Sequence, residues 1–173
     1  MRLDYSLIDD NIELKSLTLD SMSSSYLHWL HDSQVTQYLE VRHNPPTTFE
    51  VLSDYVIDIL ESSSTMLLGI HLRSNGLHIG NIKLGPICIS GSSADIGFFI
   101  GDRVHWGKGY MSAAINLLAK YAFNELGLVK LTAGCYIENV PSRRTLEKCG
   151  FYLVEEITNK NNTILNFEYL NHN

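Results

Sequence analysis

The feature that most constrains how this chain can fold is the stretch Gly101-Asp102-Arg103-Val104-His105-Trp106-Gly107-Lys108-Gly109-Tyr110-Met111 with its two flanks. Two glycines one residue apart separate an apolar run, Ile96-Gly97-Phe98-Phe99-Ile100, from an apolar stripe of Met111, Ala114, Ile115, Leu118 and Ala122. Steps of three and four make that stripe one face of an amphipathic helix. A strand that passes through a glycine turn into a helix start leaves several backbone N–H groups free at the positive end of the helix. Such an end is an anion site, and phosphate is its common guest. Taken alone, the turn is equally a tight turn that needs glycine.

Spacing separates the phosphate-binding loops from one another. A Walker A loop requires Ser or Thr after Gly-Lys, and here Gly107-Lys108 is followed by Gly109, so the hydroxyl that would hold magnesium is missing. A dinucleotide fingerprint requires a third glycine where this chain has Ser112, and it comes early in a chain rather than after residue 100. The remaining pattern is (Gln/Arg)-x-x-Gly-x-(Gly/Ala) opening a helix. With Trp106-Gly107-Lys108-Gly109-Tyr110, Ala94-Asp95-Ile96-Gly97 ahead of it, and Asn139-Val140-Pro141-Ser142 leading to Glu147-Lys148-Cys149-Gly150-Phe151, the sequence resembles the Gcn5-related N-acetyltransferase (GNAT) superfamily, in particular its RimJ/RimL-like branch. The likeness covers residues 64–156 well and the first 60 loosely. One departure stands out: the Gln/Arg position is Val104, with Arg103 one place early. Backbone N–H donors do not depend on that side chain.

The resemblance implies an acetyl-CoA-dependent N-acetyltransferase. The pantetheine arm of the cofactor would pair with the edge of the strand at Phe98, Phe99 and Ile100. Its pyrophosphate would rest on the N–H groups of Val104, His105, Trp106, Gly107, Lys108, Gly109 and Tyr110. Asn139 occupies the place of a cofactor-contacting asparagine; it is also a good N-cap, with Pro141 in the first turn. By the same resemblance Ser142 sits where a hydroxyl reaches the sulfur in RimL-like enzymes and is the candidate general acid; the tyrosine that many members place four residues before the Gly-Phe pair is here Leu146. Asp95 is the candidate base, with His105 and His43 as the other titratable groups. Residues 38–46 would line the acceptor pocket, which makes Tyr38 and His43 candidate substrate contacts. The acceptor is expected to be a protein N-terminal amine. Alternatives are a small-molecule amine, such as an amino-sugar nucleotide or a polyamine, and a non-catalytic acyl-CoA-binding module. The strand Gly80-Asn81-Ile82-Lys83-Leu84-Gly85-Pro86 also resembles one found in small-molecule members.

The rest of the chain supports an α/β (α+β) fold, one domain over residues 1–173, with a mixed, mostly antiparallel central sheet and helices on both faces. Ile12, Leu14, Leu17 and Leu19 suit a first strand; Met22, Tyr26, Trp29 and Leu30 suit a helix in which Trp29 is core; Val35, Tyr38 and Leu39 suit a second. Pro45-Pro46 favours a loop, and Thr47 to Glu50 has capping-box spacing ahead of Leu52, Tyr55, Val56 and Ile59. Asn75-Gly76 between apolar runs is a hairpin signal, and Gly85-Pro86 a strand end, giving four antiparallel strands before the glycine turn. Alternation from Val129 to Ile137 is a half-buried strand, and two runs broken by Asn159-Lys160-Asn161-Asn162 form a terminal hairpin.

Composition narrows the partners. Net charge is -6, with 13 basic against 19 acidic residues and no Lys/Arg run of five, which argues against nucleic acid. No 18-residue apolar run and no apolar N-terminal segment occur, so the expectation is a cytoplasmic chain with no membrane partner. The three cysteines, Cys88, Cys135 and Cys149, lack metal spacing, and no metal is expected. A homodimer is compatible with the sequence.

Overall fold

The computed structural model describes residues 1–159 and 162–171. Its frame is one eight-stranded sheet made of β1 (Leu7–Ile8), β2 (Ile12–Ser16), β3 (Met66–Leu72), β4 (His78–Cys88), β5 (Ser93–Ile100), β6 (Lys130–Tyr136), β7 (Tyr152–Thr158) and β8 (Thr163–Leu170). Their spatial order is β1-β2-β3-β4-β5-β6-β8-β7. Every neighbouring pair is antiparallel except β5 and β6, which run parallel. Two parallel neighbours need a crossover, and the helix that opens at the glycine turn supplies it.

Among the described residues five helices cover the sheet: α1 (Ser25–His31), α2 (Ser33–Thr36), α3 (Phe49–Glu61), α4 (Tyr110–Asn124) and α5 (Val140–Lys148). On one face, Tyr26, Trp29 and Leu30 of α1 and Leu52 and Val56 of α3 bury themselves with Leu17, Leu67 and Phe99. On the other, the stripe Ala114, Ile115, Leu118 and Ala122 of α4 packs with Leu68, Ile82, Leu84 and Ile96, and Leu146 of α5 joins the same core. Trp29 is a core residue, as its helical spacing suggests. Cys135 and Cys149 are buried free thiols, and Cys88 is exposed.

Several boundaries move from where the sequence puts them. The helix expected through Tyr38 and Leu39 ends at Thr36, and a short 3-10 turn, Glu40–His43, follows it. Thr48 rather than Thr47 caps α3, its hydroxyl accepting the Val51 N–H at 3.3 Å. Strand β4 does not stop at Gly85-Pro86; it absorbs them as a register shift between Leu84 and Ile87 and runs on to Cys88. With β1 added, five strands rather than four precede α4. In the terminal hairpin, the expected break at Lys160 and Asn161 lies outside the described residues. No helix among the described residues is long and apolar enough to cross a membrane.

Candidate active site

Strands β5 and β6 pair only through Ser93 with Lys130, Ala94 with Leu131 and Asp95 with Thr132, then part. Beyond Asp95 the far side of β5 is bonded to β4 and the far side of β6 to β8, so the two facing edges form an open fork. The Gly101 N–H donates to the Ile79 carbonyl at 2.9 Å, which fixes the alternation of the β4–β5 ladder. Pairs in the same phase, Phe99 with Asn81 and Gly97 with Lys83, spend their backbone groups on β4; Ile96, Phe98 and Ile100 present theirs to the fork. Of the three edge residues expected from sequence, Phe98 offers its backbone, Phe99 does not, and the Ile100 carbonyl already accepts the Trp106 indole N–H at 2.8 Å.

At the end of β5 the chain makes a 3-10 turn, Arg103–His105, and enters α4 through Gly107 and Gly109, whose φ values of 71° and 85° are left-handed and favour glycine. The N–H groups of Val104, His105 and Trp106 are consumed locally, by the Asp102 carboxylate, the Asp102 carbonyl and the Arg103 carbonyl. Those of residues 107–112 have no acceptor among the described residues. No acidic residue stands in the first turn of α4, so its positive end is left uncompensated. His105 Nδ1 lies 3.1 Å from an Asp102 carboxylate oxygen, off hydrogen-bond alignment. Arg103 pairs with Asp32 at 3.2 Å and ties the loop to α2. Lys108 is exposed. Gly101 is needed for a different reason: a Cβ there would meet Trp29 Cδ2 at 2.1 Å, so the loop and α1 share one close contact.

Asp95 is the last β5 residue to pair with β6 and so marks the root of the fork. Its carboxylate accepts the Thr132 hydroxyl at 3.0 Å. The residue as a whole is exposed, yet loss of hydration at the carboxyl raises its pKa above the ordinary aspartate value, against the pull of Thr132 and the Lys83 charge. Across the fork, Asn139 caps α5, accepting the Ser142 N–H at 3.3 Å, and Pro141 lies in the first turn. The half-buried Ser142 hydroxyl has no hydrogen-bond partner among the described residues.

On the α1–α3 face of the sheet lies a cavity of 670 Å³. Its floor is Asn81, Lys83, Gly97 and Phe99; Tyr38, Val41, Pro45 and Pro46 form a roof, with Leu52 and Tyr55 in the wall. The roof is latched to β6 and the turn after it. The Tyr38 hydroxyl donates to the Glu138 carbonyl at 3.2 Å, Tyr136 donates to Glu40 at 2.9 Å, and Arg42 donates to Tyr136 at 3.1 Å while lying 5.0 Å over its ring. His43 is exposed and outside the lining, so the structure brings Tyr38 to the cavity and not His43. Under the floor, His71 and His78 stack at 4.9 Å. Burial, then the neighbouring His78, pushes the His71 pKa down to about 4, and burial lowers His78 as well.

The model of the acetyltransferase (GNAT) domain matches residues 11–152. The chain belongs to the GNAT acetyltransferase family. Among its relatives is the protein named "Probable N-acetyltransferase YjcK" of Bacillus subtilis (strain 168), 41% identical over 104 residues; that match takes in 59% of this chain and 56% of the relative's length. The same fold occurs in spermidine N-acetyltransferase of Vibrio cholerae solved with CoA and spermine (TM-score 0.81, 19% identity, 94% of this chain and 96% of that one). It occurs again in a ribosomal-protein alanine acetyltransferase of Vibrio fischeri (TM-score 0.76, 15% identity, 98% of each chain).

GNAT acetyltransferases use acetyl-CoA, and the features of this GNAT domain fit that group. The run of unpaired N–H groups at 107–112 suits a pyrophosphate, and the free Ile96 and Phe98 edge suits the amides of a pantetheine arm. Sequence reasoning missed Asn81 and Lys83 as cavity residues. The available signal was their spacing: two polar residues, two apart, between the apolar Ile82 and Leu84 of a central strand.

Proposed function

We propose that this chain transfers the acetyl group of acetyl-CoA to the N-terminal α-amine of a peptide or protein, in the manner of RimJ/RimL-type enzymes. The observation that carries the choice of acceptor is the charge of the cavity. Its wall is apolar and aromatic, its one lining carboxylate among the described residues, Glu40, already accepts the Tyr136 hydroxyl, and its floor carries the cation Lys83. A polyamine needs several carboxylates and would set a second ammonium against Lys83. A peptide end brings one amine and apolar surface, which this cavity accommodates.

Acetyl-CoA held along the fork supplies the thioester carbonyl that the amine attacks. Asp95, at the root of the fork, takes the proton that the acceptor ammonium must lose; its raised pKa makes it a stronger base than an ordinary aspartate. Ser142, whose hydroxyl is uncommitted, gives a proton to the departing thiolate and recovers one from water. Asn139 holds the start of α5, and with it Ser142, in place. Tyr38 closes the acceptor side, and with His43 outside the lining it alone of that pair belongs to this reading.

The test is calorimetric titration with acetyl-CoA, then a free-thiol assay over N-terminal peptides, polyamines and amino-sugar nucleotides. Thiol release with peptides, and not with spermidine, is the expected result. Turnover of polyamines in preference to peptides would overturn the acceptor assignment, and binding without release from any amine would favour a non-catalytic module.

A further inference from the structure

We propose that the acceptor cavity is a side-chain pocket that selects amines whose neighbouring group is large and apolar, and turns away small and cationic ones. The inference rests on the N-terminal-amine reading above and narrows it to peptides that begin with a residue such as Leu, Met or Phe.

The cavity enters between α1 and α3 and ends against the core of that face. Its inner wall is Tyr26, Leu30, Leu52 and Leu67, each between 1% and 6% exposed. The polar side chains at this end are already committed. Tyr26 hydrogen-bonds to Asn81, and Asn81 Oδ1 lies 2.9 Å from His78 Nε2. A polar group pushed to the inner wall would lose its water and find no replacement partner, whereas an aliphatic or aromatic group loses nothing there.

The outer wall carries apolar surface that the fold itself leaves uncovered. Val51 and Tyr55, one turn apart on α3, are 49% and 45% exposed, and both line the cavity. Each methylene that an acceptor lays on such surface gains about fourfold in affinity. The volume of 670 Å³ lies in the range of sites that enclose a drug-sized molecule, so a Gly, Ala or Ser residue leaves most of it unfilled.

The sheet supplies the direction. Asp95, Gly97 and Phe99 share one face of β5 at steps of about 7 Å, and Gly97 and Phe99 line the cavity. An amine at Asp95 therefore sends its substituent past Gly97 toward Phe99 and the inner wall. Gly97 keeps that path open, since an added Cβ would have only Lys83 Cε within 4 Å, at 3.8 Å. Lys83, the cross-strand partner of Gly97, stands beside the path and repels a second ammonium on the substituent.

The test is steady-state thiol release by the full chain with acetyl-CoA and short peptides that differ only in the first residue: alanine, 2-aminobutyrate, norvaline, norleucine and lysine. The expected result is a rise in kcat/KM of about fourfold per methylene, hence about 60-fold from alanine to norleucine. Lysine, which is the norleucine chain ending in an ammonium, is turned over about tenfold or more slower than norleucine. Val51→Glu sets a carboxylate in the outer wall and folds, because Glu at that helical position completes a capping box with Thr48. In that variant the norleucine-to-alanine ratio falls and the lysine peptide gains on norleucine. A flat series from alanine to norleucine, or equal turnover of lysine and norleucine, overturns the pocket and leaves the peptide reading in place. A Val51→Glu loss shared equally by every peptide overturns it too. If peptides fail but the matching alkylamines release thiol with the same gain per methylene and the same dependence on Val51, the peptide reading falls and the pocket is upheld. Failure of every amine overturns both.

Discussion

On one side of the β5–β6 fork the unpaired groups are backbone N–H groups from a single continuous stretch, residues 107–112, plus the open edge at Ile96 and Phe98. On the other side they are side chains drawn from β3, β4, β5, α1, α3 and the segment 38–47. The first kind of site tolerates substitution at almost every residue, because the donor is the peptide itself. The second depends on which side chains six separate segments happen to bring together. A shared donor can therefore be kept by the first while the second is free to change acceptor.

The largest expected effect lies on the backbone side. Gly109→Glu places a carboxylate against the pyrophosphate donors, and a side chain there meets nothing within 4 Å, so the fold survives with a left-handed strain of about 1–2 kcal/mol. Calorimetry should find acetyl-CoA binding abolished in a folded variant; unchanged affinity would move the cofactor elsewhere. Next comes Asp95→Asn, expected to lower kcat by about 100- to 10,000-fold while acetyl-CoA affinity stays the same. The wild-type rate should fall as pH drops through a carboxyl pKa above the ordinary aspartate range, since only the ionised form is a base, and that limb should vanish in the variant. A changed acetyl-CoA affinity would mean the two sides are not separable at the root of the fork.

A third prediction concerns stability. His71 is 3% exposed and its folded pKa is about 4 against 6.5 unfolded, set first by burial, then by His78 and Lys15, and opposed by the Gly76 carbonyl and Glu13. The unfolded chain binds the extra proton between those values, so stability is full above pH 6.5 and is lost as pH falls toward 4. The shift corresponds to roughly 3 kcal/mol. Denaturant titrations of His71→Leu should show a flatter pH dependence; an unaltered slope would assign the acid sensitivity to other groups. Smallest is Tyr136→Phe, which removes the bonds to Glu40 and from Arg42 and loosens the roof, worth about 1 kcal/mol in acceptor KM and nothing in acetyl-CoA affinity.

Legibility in the sequence followed the same division. The stripe of α4, the alternation of β6 and the Asn139 cap were readable because each is set by residues within one or two turns of one another. Boundaries were less so: Thr47 and Thr48 are both capable caps, and which one holds the Val51 N–H depends on how the chain leaves Pro46. Gly85-Pro86 reads as an ending, yet β4 continues because β5 resumes pairing at Ile87 with Ala94. In the glycine loop the free backbone donors lie at 107–112 rather than 104–110, because Asp102 and Arg103 engage the first three N–H groups. On the acceptor side Tyr38 reached the cavity and His43 did not, a difference that depends on the 3-10 turn Glu40–His43.

By itself the sequence determined the strand–glycine–helix unit and hence a run of free backbone donors, since donors at a helix start need only local conformation. Tertiary structure alone decided that β5 and β6 part after Asp95, that Tyr38 meets Glu138 across 100 residues, and that Asn81 and Lys83 come to the cavity floor. Such contacts join side chains far apart along the chain, and no local pattern of residue types encodes which of them meet.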